Sequence, residues 1–300
     1  MWTVGIDFGG TNIKVGLVAD RGVIRAQDAL ATAEHATPSR FVDGVAQTIA
    51  RLAERQRLSR RELRGVGLGA PGLLDARRGV IHRLVNVPGG WRGVPLARLM
   101  RQRLRCRCVI DNDANVVALG EWRFGAGRGT RHGVYVTLGT GVGGGVILNG
   151  ALVRGAAGSA GELGHVTIDP DGPRCGCGNR GCLEAFVGTA ALLRQARGAA
   201  TPQDISRAAS AGDPAARRIW RDVGVHLGTA LAGVVNVLGP ERIVIGGGVA
   251  GAWRWFAPSL RRTLRGRAFE VPARACRVVR AACGDSAGIL GAAMLVWEAT

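Results

Sequence analysis

The sequence predicts an α/β protein of two domains with mixed sheets. Three observations predict this. The chain has 300 residues, enough for two cores. Strand-like and helix-like stretches alternate along it. A hairpin with a glycine-rich tip opens each half, a weak internal similarity that fits two related domains.

The elements follow in order. Residues 2–7 form a short apolar strand, and Gly9-Gly10-Thr11 makes a turn. Ile13, Val15 and Leu17 then alternate with Lys14, Gly16 and Val18, which is strand periodicity. Phe41, Val45, Ile49 and Leu52 recur at helical spacing and predict a helix over 39–56. A strand at 65–69, a loop with Pro71 and Gly72, a Gly/Pro-rich loop at 86–91 and a strand at 106–110 complete the first half. The second half restarts with a strand at 134–138, a glycine turn at 139–145 and a strand at 146–148. A strand at 242–245 and a last helix at 287–298 follow. No Ser/Pro-rich linker separates the halves. The boundary is placed at Asp111, giving a smaller domain at 1–111, to which the last helix returns, and a larger one at 112–286.

Composition excludes several classes. Hydrophobic content of 47% is that of a folded chain, not a disordered one. The opening MWTVGIDFGG has no basic region leading into an apolar one, so no secretory leader is expected. The uncharged stretches 132–153 and 223–240 are broken by seven glycines in the first case, and carry His226 and Asn236 in the second. They read as buried elements of a soluble protein, with no membrane partner. Seven cysteines, an odd number, point to reduced thiols in a cytoplasm. The net charge is +18, but Lys14 is the only lysine and the arginines are scattered. This is compositional bias on solvated faces, and no nucleic-acid partner is expected.

Glycine-rich strand ends carry the first chemistry. In Asp7-Phe8-Gly9-Gly10-Thr11-Asn12-Ile13-Lys14 the glycines let backbone N–H groups approach a phosphate. Asp7 can hold a Mg²⁺-bound water, and Thr11 can donate its hydroxyl; the plain alternative is a hairpin turn. A second cluster runs from Thr137 to Gly145, and a third is Ile245-Gly246-Gly247-Gly248. None matches the P-loop or the Rossmann fingerprint. Three such ends suggest a nucleotide held by two domains. Asp111-Asn112-Asp113 precedes a helical run at 116–122. Asn112 or Asp113 is a helix N-cap on one reading. On the other, Asp113 accepts the proton of a substrate hydroxyl during phosphoryl transfer.

The densest cluster is GHVTIDPDGPRCGCGNRGCLE, from Gly164 to Glu184. His165, Cys175, Cys177 and Cys182 are four N/S ligands, the closed set of a structural zinc site. Free thiols in a turn-rich loop are the alternative. A zinc that pins this loop would also fix Glu162, His165 and Glu184, carboxylates and imidazole suited to the vicinal hydroxyls of a sugar.

Taken together, Gly164-His165, Cys175-Gly-Cys177-Gly-Asn-Arg-Gly-Cys182-Leu-Glu184, Asp7–Lys14, Gly69-Ala70-Pro71-Gly72, Asn112-Asp113-Ala114-Asn115 and Leu138–Gly145 resemble the ROK family, and within it the bacterial glucokinase-like sugar kinases. The resemblance covers nearly the whole chain. It implies an actin/hexokinase-like (ribonuclease H-like) fold of two domains around a central cleft. It also implies transfer of the γ-phosphoryl of ATP to a hexose, usually at the 6-hydroxyl. By position, Asp113 matches the general base. Asn86, Asn112, Asp113, Glu162, His165 and Glu184 match sugar contacts. Asp7, Gly9, Gly10, Thr11, Asn12, Lys14, Thr140 and Gly141 match the phosphate and Mg²⁺ shell, and Gly246, Gly247 and Gly248 the adenosine side. His165 would bind zinc through one ring nitrogen and approach the sugar through the other. Relatives are commonly homodimers.

One departure stands out. The family loop usually reads Asn-x-Pro-Gly-Trp, whereas Asn86-Val87-Pro88-Gly89-Gly90-Trp91 carries one more glycine. Glucose is the expected sugar; N-acetylglucosamine, N-acetylmannosamine and mannose are alternatives, with polyphosphate as alternative donor. The family also holds sugar-responsive repressors, which place a DNA-reading domain before the core. Here the core begins at Trp2, so a non-catalytic sensor is the lesser expectation.

Overall fold

The computed structural model describes residues 1–84, 87–196 and 198–298. It divides into two compact units: 1–129 with 152–160 and 283–300, and 130–151 with 161–282.

The first unit is built on a five-stranded sheet. Strands β1 (Trp2–Phe8), β2 (Asn12–Ala19) and β3 (Val23–Ala31) run antiparallel in succession. Helix α1 (Pro38–Arg55) follows, capped by Thr37 with proline in its first turn. Strand β4 (Leu63–Ala70) then pairs parallel to β1. A small hairpin, β5 (Leu73–Asp75) and β6 (Val80–Arg83), and helix α2 (Leu96–Leu104) lead to β7 (Cys108–Asn112), parallel to β4. Helix α3 (Asp113–Phe124) leaves directly from it. The sheet order is β3-β2-β1-β4-β7.

The two faces of this sheet are covered differently. Val4, Ile6, Phe8, Val15 and Leu17 share a core with Phe41, Val45, Ile49 and Leu52, the stripe that predicted α1. Each such buried side chain contributes roughly 1.5–3 kcal/mol. Gly16, Gly5 and Gly67 sit side by side across β2, β1 and β4 in register. A Cβ at any of them would overlap the C-terminal helix, Ala287–Glu298, which lies directly on the strands. That helix is apolar all round and is buried for most of its length.

The second unit repeats the plan. Strands β8 (Gly133–Leu138), β9 (Val142–Leu148) and β10 (Ala151–Leu152) form the antiparallel edge. Short helices α4 (Glu184–Val187), α5 (Thr189–Gln195) and α6 (Pro202–Ser210) precede the long α7 (Pro214–Leu238). Then come β11 (Arg242–Gly246), α8 (Trp253–Arg267), α9 (Glu270–Ala275) and β12 (Arg277–Arg280). The order β10-β9-β8-β11-β12 matches the first sheet position by position, with β11 parallel to β8 and β12. Trp220, Val223, Leu227 and Leu231 of α7 pack with Ile243, Ile245, Phe256 and Leu260. The C-terminal helix, α10, closes the chain.

Three expectations are corrected. The division falls after Gly129 and not near Asp111, because α3 packs on α10. At Gly120 and Gly291 these helices approach so closely that any side chain would strike the other backbone. The second glycine turn is short: Gly143, Gly144 and Gly145 are paired with Thr137, Val136 and Tyr135 inside β9. The strand placed at 106–110 runs from Cys108 to Asn112, so Cys106 precedes it. Among the described residues no helix is long and apolar enough to cross a membrane.

Candidate active site

In the first unit, β1, β4 and β7 are parallel, so their carboxyl ends share one sheet edge. That edge collects the hairpin tip after Phe8, the Pro71-Gly72 loop after Ala70, and Asn112-Asp113. Edges of this kind are where α/β folds bind ligands. The tip is closed by Gly9 N–H donating to Asn12 O at 3.0 Å. Gly10, Thr11 and Asn12 are exposed, so the side chains of Thr11 and Asn12 stand open to a ligand. Lys14 pairs with Asp285 at 3.7 Å. Burial pushes the Asp7 carboxyl above its ordinary range, Lys14 pulls it back, and Asp285 adds to the rise. A cation beside Asp7 would favour its charged form.

Asn112 takes the structural role at the helix start. Its Oδ1 accepts from Ala114 N at 2.9 Å and Asn115 N at 3.4 Å, and its amide donates to Gly72 O at 3.5 Å. Asp113 is therefore the first helical residue, not the cap, and its carboxylate is half-buried. Asn86 lies outside the described residues. Past it, Gly89 and Gly90 have φ of 105° and 82°, both in the left-handed region. The loop thereby delivers Trp91 into the core, where Nε1 donates to Ala36 O at 2.5 Å and the ring packs on Phe8 and Phe41.

In the second unit, Gly139 N–H donates to Gly141 O at 2.9 Å, closing a tip like the first. Glu184, at the start of α4, reaches this tip: its Oε2 accepts from Val142 N at 2.9 Å. A Cβ at Gly141 would overlap the same carboxylate. Gly247, at φ 86°, abuts the backbone of Leu138 just before the tip. Thr140, Gly141, Glu184 and the Gly246–Gly248 segment therefore form one neighbourhood.

The ligand atoms of His165, Cys175, Cys177 and Cys182 all lie within 4.8 Å of one another. Cys177 Sγ and Cys182 Sγ are 3.7 Å apart, and Cys175 Sγ and His165 Nδ1 3.8 Å. A tetrahedral ion with bonds of about 2.3 Å to sulfur has edges of about 3.8 Å, so this donor set fits zinc. Burial pushes the Cys175 thiol up to about 12, against backbone hydrogen bonding; a cation relieves that cost. His165 turns Nδ1 to the thiols and Nε2 toward Glu162, 3.9 Å from Oε2. Cys175 Sγ also lies 3.6 Å from Glu184 Oε1, so Glu184 spans from the cysteine cluster to the glycine tip.

With this geometry in place, the sequence matches the model of the ROK family over residues 3–299. The chain belongs to the ROK family. A glucokinase from Halalkalibacterium halodurans is 34% identical over 98% of this chain and 94% of its own length. The ROK hexokinase structure from Thermus thermophilus superposes with a TM-score of 0.86 at 36% identity, covering 100% of this chain and 99% of that one. A ROK glucokinase from Streptomyces griseus, solved in complex with glucose and AMPPNP, gives 0.82 at 35% identity, covering 99% and 100%. The fold is the actin/hexokinase-like α/β fold of ROK hexokinases.

Two threonines that brace the glycine tips carry no mark in the sequence. Thr32 Oγ1 donates to Gly9 O at 2.8 Å, and Thr189 Oγ1 to Gly139 O at 2.8 Å. Neither threonine lies in a glycine motif, and no local signal marks them. Asp111, read as a strand end, is a buried ion-pair partner of Arg154.

Proposed function

We propose that this chain is a sugar kinase that transfers the γ-phosphoryl group of MgATP to the 6-hydroxyl of glucose. The observation that carries this reading is the placing of Asp113 at the same sheet edge as the Asp7–Lys14 hairpin. A carboxylate able to accept a proton and a turn able to bind phosphate thus stand on one sheet, which supports the reading. Similarity to glucokinases, one of them holding glucose and AMPPNP, names the substrates.

The chemistry is mostly positioning. Backbone N–H groups of Gly10 and Thr11 in one tip and of Thr140 and Gly141 in the other take the phosphates, with Thr11 and Thr140 donating hydroxyls. The Gly246–Gly248 segment takes the adenosine side. Mg²⁺, when bound, neutralises phosphate charge, with Asp7 and Lys14 in its surroundings. Glu162 and Glu184 accept from sugar hydroxyls, His165 donates its Nε2–H to one, and Asn86 and Asn112 add amides. Asp113 takes the proton of the attacking hydroxyl as the new O–P bond forms and the bond from the γ-phosphorus to the bridging oxygen breaks, with ADP leaving. Zinc on His165, Cys175, Cys177 and Cys182 fixes the loop that carries these sugar contacts. The same reading makes the enzyme cytoplasmic and homodimeric.

The test is ADP release from purified protein with MgATP and glucose, beside N-acetylglucosamine, N-acetylmannosamine, mannose, tripolyphosphate as donor, and a no-sugar blank. Glucose-dependent release well above the others is expected. Absence of release with every sugar and donor, from protein holding zinc, would overturn the reading.

A further inference from the structure

Asp111 is 1% exposed, on β7, one residue before the Asn112 cap. A carboxylate so deep needs a counter-charge and hydrogen bonds. It has both. Oδ2 accepts from Arg154 Nε at 2.7 Å. Oδ1 accepts from Asn112 N at 2.7 Å and from Asn115 Nδ2 at 2.9 Å. One oxygen therefore holds the residue before Asp113 and the residue two after it, while the other is held by the guanidinium. Arg154 belongs to neither β7 nor α3. It arrives on 152–160, a segment of the first unit inserted between stretches of the second. Asp111 and Arg154 line a cavity of about 500 Å³ with Arg77, Leu152, Leu295 and Glu298. Glu298 is the other carboxyl there, and Asp111 is the one that the guanidinium bonds.

We propose that Arg154, acting through Asp111, is a positioning residue for the Asn112-Asp113 turn. The catalytic part of this proposal rests on the phosphoryl-transfer role of Asp113; the positioning part does not. Without Arg154, Asp111 is a buried charge with only neutral donors. It then keeps its charge by opening toward the cavity, and that movement loosens the grip of Oδ1 on both sides of Asp113. Arg154 also lies eight residues before Glu162 in the chain, so the anchor stands just upstream of a proposed sugar contact.

The experiment uses Arg154→Met, Arg154→Lys, Asp111→Asn and the double variant R154M/D111N in the full chain. Two readouts are taken: steady-state kinetics with a pH–rate profile, and hydrogen exchange of the amides at 112–116. Arg154→Met is expected to lower kcat at least tenfold with the KM for glucose within threefold. Its exchange at 112–116 is expected to quicken, and the acid limb of kcat/KM to move to higher pH, because an uncovered negative charge then stands two residues from Asp113 in the chain. The double variant is expected to bring the acid limb back and to lose no more kcat than Arg154→Met alone. Arg154→Lys should keep part of the activity, and it carries the test if Arg154→Met does not fold. A lowered Tm with kcat within twofold, or an unmoved acid limb, would reduce the pair to a structural one and overturn the catalytic part. Unchanged exchange at 112–116 would overturn the positioning part, and exchange decides that part even if the wild-type chain releases no ADP.

Discussion

Thr32 donates its hydroxyl to the carbonyl of Gly9 at 2.8 Å, and its backbone N–H to Thr11 O at 2.9 Å. The second unit does the same with different residues. Thr189 gives both its hydroxyl and its N–H to Gly139 O, at 2.8 and 3.0 Å. In each unit the threonine fixes the peptide plane at the first glycine of the tip. That plane sets where the next N–H groups of the tip point.

Replacing Thr32 by Val removes the hydroxyl and keeps the shape. Thr32 is buried, so the Gly9 carbonyl loses a partner that water does not readily replace. A loss of about 1–2 kcal/mol corresponds to roughly a five- to thirtyfold fall in kcat/KM for ATP. Thr32→Ser should retain most of the rate, and Thr189→Val should behave like Thr32→Val. Initial rates at varied ATP check this. Two valine variants with wild-type kcat/KM would show that the tips do not need the bond.

Cys177 is the exposed member of the cysteine cluster, and so the cheapest to change. Cys177→Ser is expected to lose zinc by elemental analysis and to bind glucose more weakly by at least tenfold. Glu184 transmits the loss, since its carboxylate touches both Cys175 and the Val142 N–H. A structural site worth about 3 kcal/mol would also lower Tm by roughly 6–12 °C. A zinc-free variant with normal turnover would separate metal from function.

What was legible in the sequence was local. The β1–β2 hairpin and the α1 stripe are written in alternation and helical spacing over fewer than twenty residues. The four zinc-type ligands fall close enough together to be seen as a group. What was not legible depends on partners far along the chain. The place of α3 with the first unit depends on Gly120 meeting α10, and nothing near Gly120 marks that contact. The bond from Glu184 to Val142 spans 42 residues. Arg154 is one of 39 arginines, and only its distance to Asp111 sets it apart. The doubled glycine at 89–90 could be counted, but its positive φ angles could not.

His226 stacks on Phe186, with ring centroids 4.5 Å apart. Burial holds its pKa below the ordinary value, while Asp222 and Asp169 pull the other way. The unfolded chain therefore takes a proton near pH 6.5 that the folded chain refuses. Stability from this residue is complete above about pH 6.5 and falls as pH drops toward the folded value, by at most about 1.4 kcal/mol per pH unit. Urea melts at pH 5.5 and 7.5 measure it. In His226→Phe the difference between the two pH values should shrink; an identical difference would assign it to other groups.

Asp113→Asn keeps the size of the side chain and removes its capacity to take a proton. Asn112 remains the cap of α3, so the helix start should survive. If Asp113 is the base, kcat falls by roughly 10²–10⁴ while glucose binding by calorimetry stays within threefold. The asymmetry is what identifies the role. A sugar contact would lose affinity, and a purely structural residue would lose Tm, each without so large an effect on kcat. Asp113→Glu should recover little, because the longer side chain moves the carboxylate by more than proton transfer tolerates. Turnover above a tenth of wild type in Asp113→Asn would remove Asp113 from the chemistry.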